Sequence, residues 1–425
     1  MSYFFHLLRQ RKSALLLFVP MLILYASSYF QRTAVPGTIF GQLQSDMGLS
    51  ASQIAGLGAS FIYIYAFSQI FVGMLADKYG GTRIIMAGGV LFCIGTALFP
   101  LLDDLWALYF CRMLTGLGAS TMYLSIVKET DHIFGHKNYA VIMGIVYFVG
   151  YSGGLFASLP FERLTTVYSW RTVLLASGIV SAVLYVLFLL GSRFAEPMKI
   201  TGGRLSFHPF LKIVKNPYSW LPIFCATVNF AIYFIIQTVF GKKFLEDFTG
   251  MSSAAAAGCI FALTFVCMGM LFCSSMISRL MRNRRKPLIL FATSLCFLNT
   301  LLMTFAIYFR LGGTVFAVCY ILYAMASGFS VVFSMSEQEL NSPDTMTQAT
   351  GLINMFNYLA VAVFSVLIGM LLDSFGGKMV NGAVIYPREA YLTLFLLLLI
   401  PAALSLILSF FIPETNGKYK HHAES

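Results

Sequence analysis

The sequence predicts an all-α membrane protein of twelve transmembrane helices in two pseudo-symmetric six-helix bundles. Three observations carry that expectation. Of the 425 residues, 58% are hydrophobic and only 11% charged, against roughly 45–50% apolar and about 25% charged in soluble globular domains. Apolar stretches of about 20 residues, enough to cross a hydrocarbon core roughly 30 Å thick, recur twelve times between short polar breaks. The loop after the second stretch returns in degenerate form 202 positions further on, the mark of an internal repeat.

The stretches fall at 14–42, 53–76, 84–102, 105–127, 138–161, 172–192, 218–241, 253–278, 287–309, 312–335, 347–372 and 389–412. The first is too long for a signal h-region and lacks a small-residue cleavage site, so it is expected to remain as helix one. Between the sixth and seventh runs lies the longest internal polar stretch, Arg193 to Trp220, with Pro197, Gly202, Gly203, Pro209 and Pro217. It divides a first bundle, 1–192, from a linker, 193–217, and a second bundle with a short tail, 218–425.

An even number of crossings puts both termini on one side. Nineteen lysines and arginines fall in segments on that side and seven in the opposite loops, leaving only Arg32 and Arg112 within the membrane. The positive-inside rule then predicts a cytoplasmic (inner) membrane protein with both termini and the linker in the cytoplasm. The net charge of +11 thus reflects topology, and no nucleic-acid partner is expected. All eight cysteines lie in predicted helices without metal-ligand spacing or a CxxC pair. No nucleophile and base at recognisable spacing, no metal cluster and no phosphate-cradling loop point to an enzyme, a metal site or a cofactor.

The loop after helix two reads Gly73-Met-Leu-Ala-Asp77-Lys78-Tyr-Gly80-Gly81-Thr-Arg83 and resembles the signature loop of the major facilitator superfamily. Arg112-Met-Leu-Thr-Gly116-Leu-Gly118 in helix four and Trp170-Arg171 at the start of helix six are similar to further family marks, with weaker echoes in Gly351-Leu-Ile-Asn354 and Pro413-Glu414-Thr415. The resemblance implies a major facilitator fold whose halves rock about a midplane site. It also implies a gating loop in which Asp77 latches a helix end, with Gly73, Gly80 and Gly81 permitting the turn and Lys78 and Arg83 beside it. The alternative is a solvated turn that fixes topology. The second copy carries Arg279 at the place of Asp77, so no equivalent acidic latch is expected there.

Arginine at the centre of a membrane helix costs about 2.5–3.5 kcal/mol, so it faces a polar cavity or a partner. Tyr25, Tyr29, Arg32 and Pro36 share one face of helix one, and Arg112, Gly116, Ala119 and Tyr123 one face of helix four. Guanidinium forks suit carboxylate or phosphate. Arg32 reads either as a substrate-site residue or as a side chain snorkelling to the outer interface, and Arg112 as a ligand contact or a structural or coupling residue. Tyr29-Phe-Gln-Arg32 resembles the first helix of organophosphate antiporters and anion:cation symporters, which implies that Arg32 faces an anionic substrate. The 202-residue shift takes Arg32 to Phe234, so the second half lacks a matching cation and a carboxylate is favoured over a phosphate ester. Its organic body is expected to meet Asn229, Tyr233 and Gln237 on helix seven, Tyr320 and Tyr323 on helix ten, and Asn354, Asn357 and Tyr358 on helix eleven. For each, packing or interhelical bonding is the alternative.

Aspartates and glutamates are placed at helix ends or in loops, and no histidine falls within a span, which argues against a midplane proton relay. In helix five Gly150-Tyr151-Ser152-Gly153-Gly154 nearly matches the family's antiporter motif, with Tyr151 where proline belongs; close packing is the alternative. The expected function is secondary transport of a small organic anion across the bilayer by a monomer, with a coupling ion or counter-anion left open. Export of a drug, siderophore or amphiphile is the alternative within transport, and a non-transporting membrane sensor the alternative of another class.

Overall fold

The computed structural model describes residues 12–134, 136–194, 208–342, 346–380 and 383–419. Twelve spans form two six-helix halves. In the first half, span one is α1 (Lys12–Thr33), a π-turn (Ala34–Thr38) and α2 (Phe40–Met47). Spans two to four are α3 (Ala51–Tyr79), α4 (Gly81–Leu98) and α5 (Leu105–Phe134); span five is α6 (His136–Phe156) with α7 (Leu159–Val167), and span six is α8 (Trp170–Ser192). A linker helix, α9 (His208–Lys215), leads into the second half. There span seven is α10 (Trp220–Ile235), a π-turn (Ile236–Phe240) and α11 (Gly241–Thr249). Spans eight and nine are α12 (Ser253–Leu280) and α13 (Lys286–Tyr308), span ten is α14 (Gly313–Ser327) with α15 (Ser330–Glu339), span eleven is α16 (Met346–Phe375) and span twelve is α17 (Arg388–Ser409). The end of the bundle holding the start of α1 and the linker is called proximal below, the other distal.

Among the described residues, eleven spans are long and apolar enough to cross a membrane. The other is α5, 30 residues long, whose apolar character is diluted by Arg112 and by glycine, serine and threonine; Arg112, Thr115, Ser120 and Thr121 on it are buried against neighbouring helices.

The repeat is visible residue by residue. The two π-turns, Ala34–Thr38 and Ile236–Phe240, lie 202 positions apart, as do the left-handed glycines Gly48 (φ 65°) and Gly250 (φ 68°) that end α2 and α11. Ser50 and Ser252 follow as N-caps of α3 and α12, each accepting from the amide three residues on, which satisfies one of the orphan donors of a helix start.

Several expected boundaries move. Span five breaks at Ala157–Ser158, with Pro160 opening α7, a position where proline is tolerated. Span ten breaks at Gly328 and then runs on to Glu339, and a short antiparallel strand pair of three residues each, β1 (Lys378–Val380) with β2 (Ala383–Ile385), lies between spans eleven and twelve. The carboxylates expected at helix ends or in loops lie near helix ends, and four of them are covered: Glu129, Glu162, Glu337 and Glu339 are all buried. Glu129 on α5 and Glu337 and Glu339 on α15 stand where these helices run past the apolar stretches, and Glu162 on α7 is covered by its pairing with Lys242.

Most of the apolar core is one continuous cluster that crosses the seam between the halves. A second, around Ile213 of α9, Ile223, Phe333 and Ile353, docks the linker helix on the proximal end of the second half. Along the seam α3 packs lengthwise on α16.

Candidate functional site

The π-turn in span one organises the site. Val35 leaves the helical region (φ −118°, ψ 118°) and Pro36 has no N–H, so this turn cannot use all its carbonyls within the helix. Arg112 takes them. Its Nη1 donates to Gln31 O at 3.1 Å, Nη2 to Val35 O at 2.8 Å and Nε to Leu57 O on α3 at 3.2 Å. The helix-four arginine therefore braces the kink against α3, with its donors turned to backbone.

Arg32, one turn before the kink, is only 2% exposed. Six-membered rings surround its guanidinium: Tyr65 at 4.4 Å from Cζ to centroid, Tyr29 at 4.6 Å, Tyr358 at 5.0 Å, Phe61 at 5.7 Å and Phe234 at 6.0 Å. Nη1 donates to Tyr358 Oη at 2.7 Å, whereas Nε and Nη2 have no hydrogen-bond partner. Rings stabilise the charge through cation–π contact by about 0.5–2 kcal/mol each, but they do not satisfy N–H edges, and an unmet buried donor costs about 1–3 kcal/mol, more when charged. Nε and Nη2 together form the side of the guanidinium that binds both oxygens of a carboxylate. Tyr358 and Phe234 come from the second half and the other rings from the first, so Arg32 lies on the seam rather than at a lipid interface.

From Arg32 a wall of tyrosines runs through the first half. Tyr29 packs on Tyr151 at 4.9 Å and on Tyr25 at 5.5 Å, Tyr25 stacks on Tyr123 at 5.9 Å, and Tyr123 and Tyr147 share a hydroxyl hydrogen bond of 2.6 Å. The glycines of α6 make room for it: a Cβ at Gly150 would stand 2.3 Å from the Tyr25 ring, and one at Gly153 would stand 1.8 Å from Ala26 O.

Across the seam, Tyr233 is buried with its hydroxyl beside Thr264 and Cys267, and Thr33 Oγ1 on the near side and Asn229 Oδ1 are unpartnered. Gln237 Nε2 donates to Thr264 Oγ1 at 2.8 Å. Asn357 Oδ1 accepts from Thr227 Oγ1 at 3.2 Å, and Asn354, partly buried, sits one turn before Tyr358. Tyr323 Oη donates to Thr300 Oγ1 and Tyr320 Oη to Gly241 O, so both serve contacts within the second half. Phe61 and Tyr65, two of the rings on Arg32, escaped the sequence reading; the signal available was their i, i+4 spacing with Gln69 on α3.

The two ends of the seam differ. Distally, both carboxylate oxygens of Asp373 on α16 accept from the first amides of α3, Ala51 N at 2.9 Å and Ser52 N at 2.8 Å. Lys242 Nζ reaches Glu162 at 2.6 Å and Thr38 O at 2.7 Å, Gln44 Nε2 donates to Tyr386 Oη at 3.1 Å, and a Cβ at Gly37 would lie 2.4 Å from Thr238 O. All join one half to the other.

At the proximal end, Gly80 takes φ 85°, Gly81 lies against Ser125 O, and Glu129 accepts from Thr82 N at 2.7 Å. Arg83 Nη1 donates to Tyr79 O at 2.9 Å, and Lys78 Nζ lies 5.3 Å from the Tyr79 ring. Gly73 is in contact with Leu124. The Asp77 side chain lies outside the described ones. In the second half Glu414 accepts from Arg285 N and Lys286 N, at 2.8 and 3.2 Å, and the Arg285 guanidinium pairs with Glu339 at 2.7 Å. An acidic cap on the span-nine start is thus present, supplied by the Pro-Glu-Thr segment instead of the repeated loop.

Comparisons agree with this architecture. The sequence profile described as Major Facilitator Superfamily matches residues 21–365. The probable sulfoacetate transporter SauU of Cupriavidus necator is 22% identical over 171 residues, 40% of each chain. The 3-(3-hydroxy-phenyl)propionate transporter of Escherichia coli K12 is 26% identical over 199 residues, 45% of this chain and 47% of that one. These alignments span less than half the length of either relative. Among solved structures, a POT family transporter in complex with 5-aminolevulinic acid superposes with a TM-score of 0.77 at 14% identity, covering 94% of this chain and 96% of the other. The chain belongs to the Major Facilitator Superfamily. It is a multi-pass membrane protein of a transporter family, with relatives that move organic acids.

Proposed function

We propose that this chain is a secondary transporter that moves a small organic anion by alternating access, with Arg32 as the anchor for the anionic group. The observation that carries the reading is the Arg32 guanidinium, buried on the seam with Nε and Nη2 unpartnered. A carboxylate there would complete the donor set and draw the rings of both halves together, giving the ligand different contacts in different states, which is what lets it drive a conformational change. Asp373 on the α3 amides and Glu162 with Lys242 are hydrogen-bonded latches that part when the distal side opens. Tyr25, Tyr29, Tyr123, Tyr233, Gln237 and Asn357 would line the passage. Arg112 shapes it from behind, while Tyr323 serves the second half's own packing. The Gly73–Arg83 loop and Glu129 would form the proximal gate. We further assign bundles 1–192 and 218–425, joined by 193–217, to an inner membrane with both termini cytoplasmic, acting as a monomer driven by ion or counter-anion gradients.

Uptake of radiolabelled carboxylates into proteoliposomes tests this. Arg32→Gln is expected to lower uptake at least about tenfold, the equivalent of one charge-assisted hydrogen bond of about 1.5–3 kcal/mol, while Arg32→Lys retains part of it. Unchanged uptake in Arg32→Gln would remove the anion reading.

A further inference from the structure

The chemistry around Arg32 narrows the ligand. This step rests on the anion reading above, and three features of the site carry it.

The first is charge. Among the described buried side chains, Arg32 is the cation whose nitrogens lack partners; Arg112 donates to three backbone carbonyls, and Lys242 is paired with Glu162. A second negative charge brought to this place would meet no free counter-charge, and a buried unpaired charge is strongly disfavoured.

The second is polarity. Beyond the guanidinium, the unpartnered side-chain atoms on the helices that carry the rings include Thr33 Oγ1 on span one, Gln69 Oε1 one turn past Tyr65 on α3 and Asn229 Oδ1 on α10. A polyhydroxylated acid would bury several hydroxyls, each needing a partner, whereas the five rings around Arg32 present mostly carbon. One polar substituent can be answered by the hydroxyl of Tyr233, a neighbour of Tyr29 and Tyr151.

The third is shape. The Arg32 guanidinium is surrounded by rings, and one of them, Tyr29, packs on Tyr151 at 4.9 Å with the planes 34° apart. Aromatic pairs add about 0.5–1.5 kcal/mol beyond the area they bury, an advantage that an aliphatic chain does not share.

We propose that the ligand is an aromatic monocarboxylate: its carboxylate bridges Nε and Nη2 of Arg32, its ring lies on the Tyr29–Tyr151 wall, and the Tyr233 hydroxyl meets a polar ring substituent. Tyr233 is then a specificity residue, choosing among aromatic acids without setting whether they bind.

Isothermal calorimetry on the detergent-purified full chain tests this with phenylacetate, 4-hydroxyphenylacetate, cyclohexylacetate, glucuronate and succinate. Phenylacetate is expected to bind about 2- to 13-fold more tightly than cyclohexylacetate, the range set by the aromatic-pair contribution, and Tyr151→Leu should erase that difference. The 4-hydroxy acid should be preferred over phenylacetate in the native protein, and Tyr233→Phe should lower the affinity for the 4-hydroxy acid more than that for phenylacetate and so remove the preference; a preference kept in Tyr233→Phe would overturn the role given to Tyr233. Retained size-exclusion profiles show that the variants fold. Glucuronate or succinate binding in an Arg32-dependent way, with the aromatic acids silent, would overturn this proposal and leave the anion reading standing. Binding of none of the five acids would take both away.

Discussion

The two halves of the molecule share their backbone devices and differ in their chemistry. The π-turns, left-handed glycines and serine caps recur at a spacing of 202 residues, yet the position that holds Arg32 in one half holds Phe234 in the other, with the Phe234 ring 6.0 Å from the guanidinium. Likewise Pro36 corresponds to Thr238, whose carbonyl lies against Gly37. A repeat of helix breaks and caps is enough to preserve the architecture, since those features fix where the chain turns. Side chains facing the seam are free to diverge, and here one half supplies the charge while the other supplies Tyr358 and the rings that cover it.

The largest expected effect comes from breaking the contact in which the second half lends a cation to the first. Glu162→Gln leaves the buried Lys242 ammonium with Thr38 O and a longer contact to Glu246 at 3.5 Å and should destabilise the protein by about 3 kcal/mol, the low end for a broken buried pair, read as a fall in thermal unfolding temperature in detergent. Adding Lys242→Met should recover most of the loss, because the pair replaced as a whole is close to neutral. Equal losses in the single and double variants would show that the pair does not hold the seam.

A smaller effect separates the two arginines. Arg112→Gln strips partners from the carbonyls of Gln31 and Val35 on either side of Arg32, at about 1–3 kcal/mol for each left unsatisfied, so stability should fall, with ligand affinity in calorimetry reduced less than in Arg32→Gln. Arg32→Gln should do the reverse. Ligand binding that disappears in Arg112→Gln at unchanged stability would return Arg112 to the site.

The smallest effect compares two helix caps. Asp373→Asn and Ser252→Ala should each cost about 0.5–2 kcal/mol. Only the first crosses the seam, so only Asp373→Asn should raise the labelling rate of a cysteine placed at Leu49. Equal labelling in the two variants would show that the Asp373 contact is a local cap and not a latch.

The sequence made the spans legible because membrane helices must be long and apolar, and it made Arg32 conspicuous because charge at that depth is costly. It could not separate Arg32 from Arg112. Both are arginines on tyrosine-flanked faces, and the difference lies in whether backbone carbonyls from another helix reach the guanidinium. Pro36 was the available hint, since a proline in a helix frees carbonyls nearby. Tyr65 carried only its i, i+4 spacing with Phe61 and Gln69, a weak mark on one aromatic residue among many.

Composition, periodicity and the repeated turn residues determined by themselves that this chain folds as twelve spans in two related halves, because those properties act locally, through hydrophobic length, missing N–H groups and glycine conformations. Which donors remain free, which carboxylates are covered and which rings meet across the seam were decided only by the tertiary structure. Hydrogen-bond satisfaction is a property of what surrounds an atom, and those surroundings are assembled from positions as far apart as Arg32 and Tyr358.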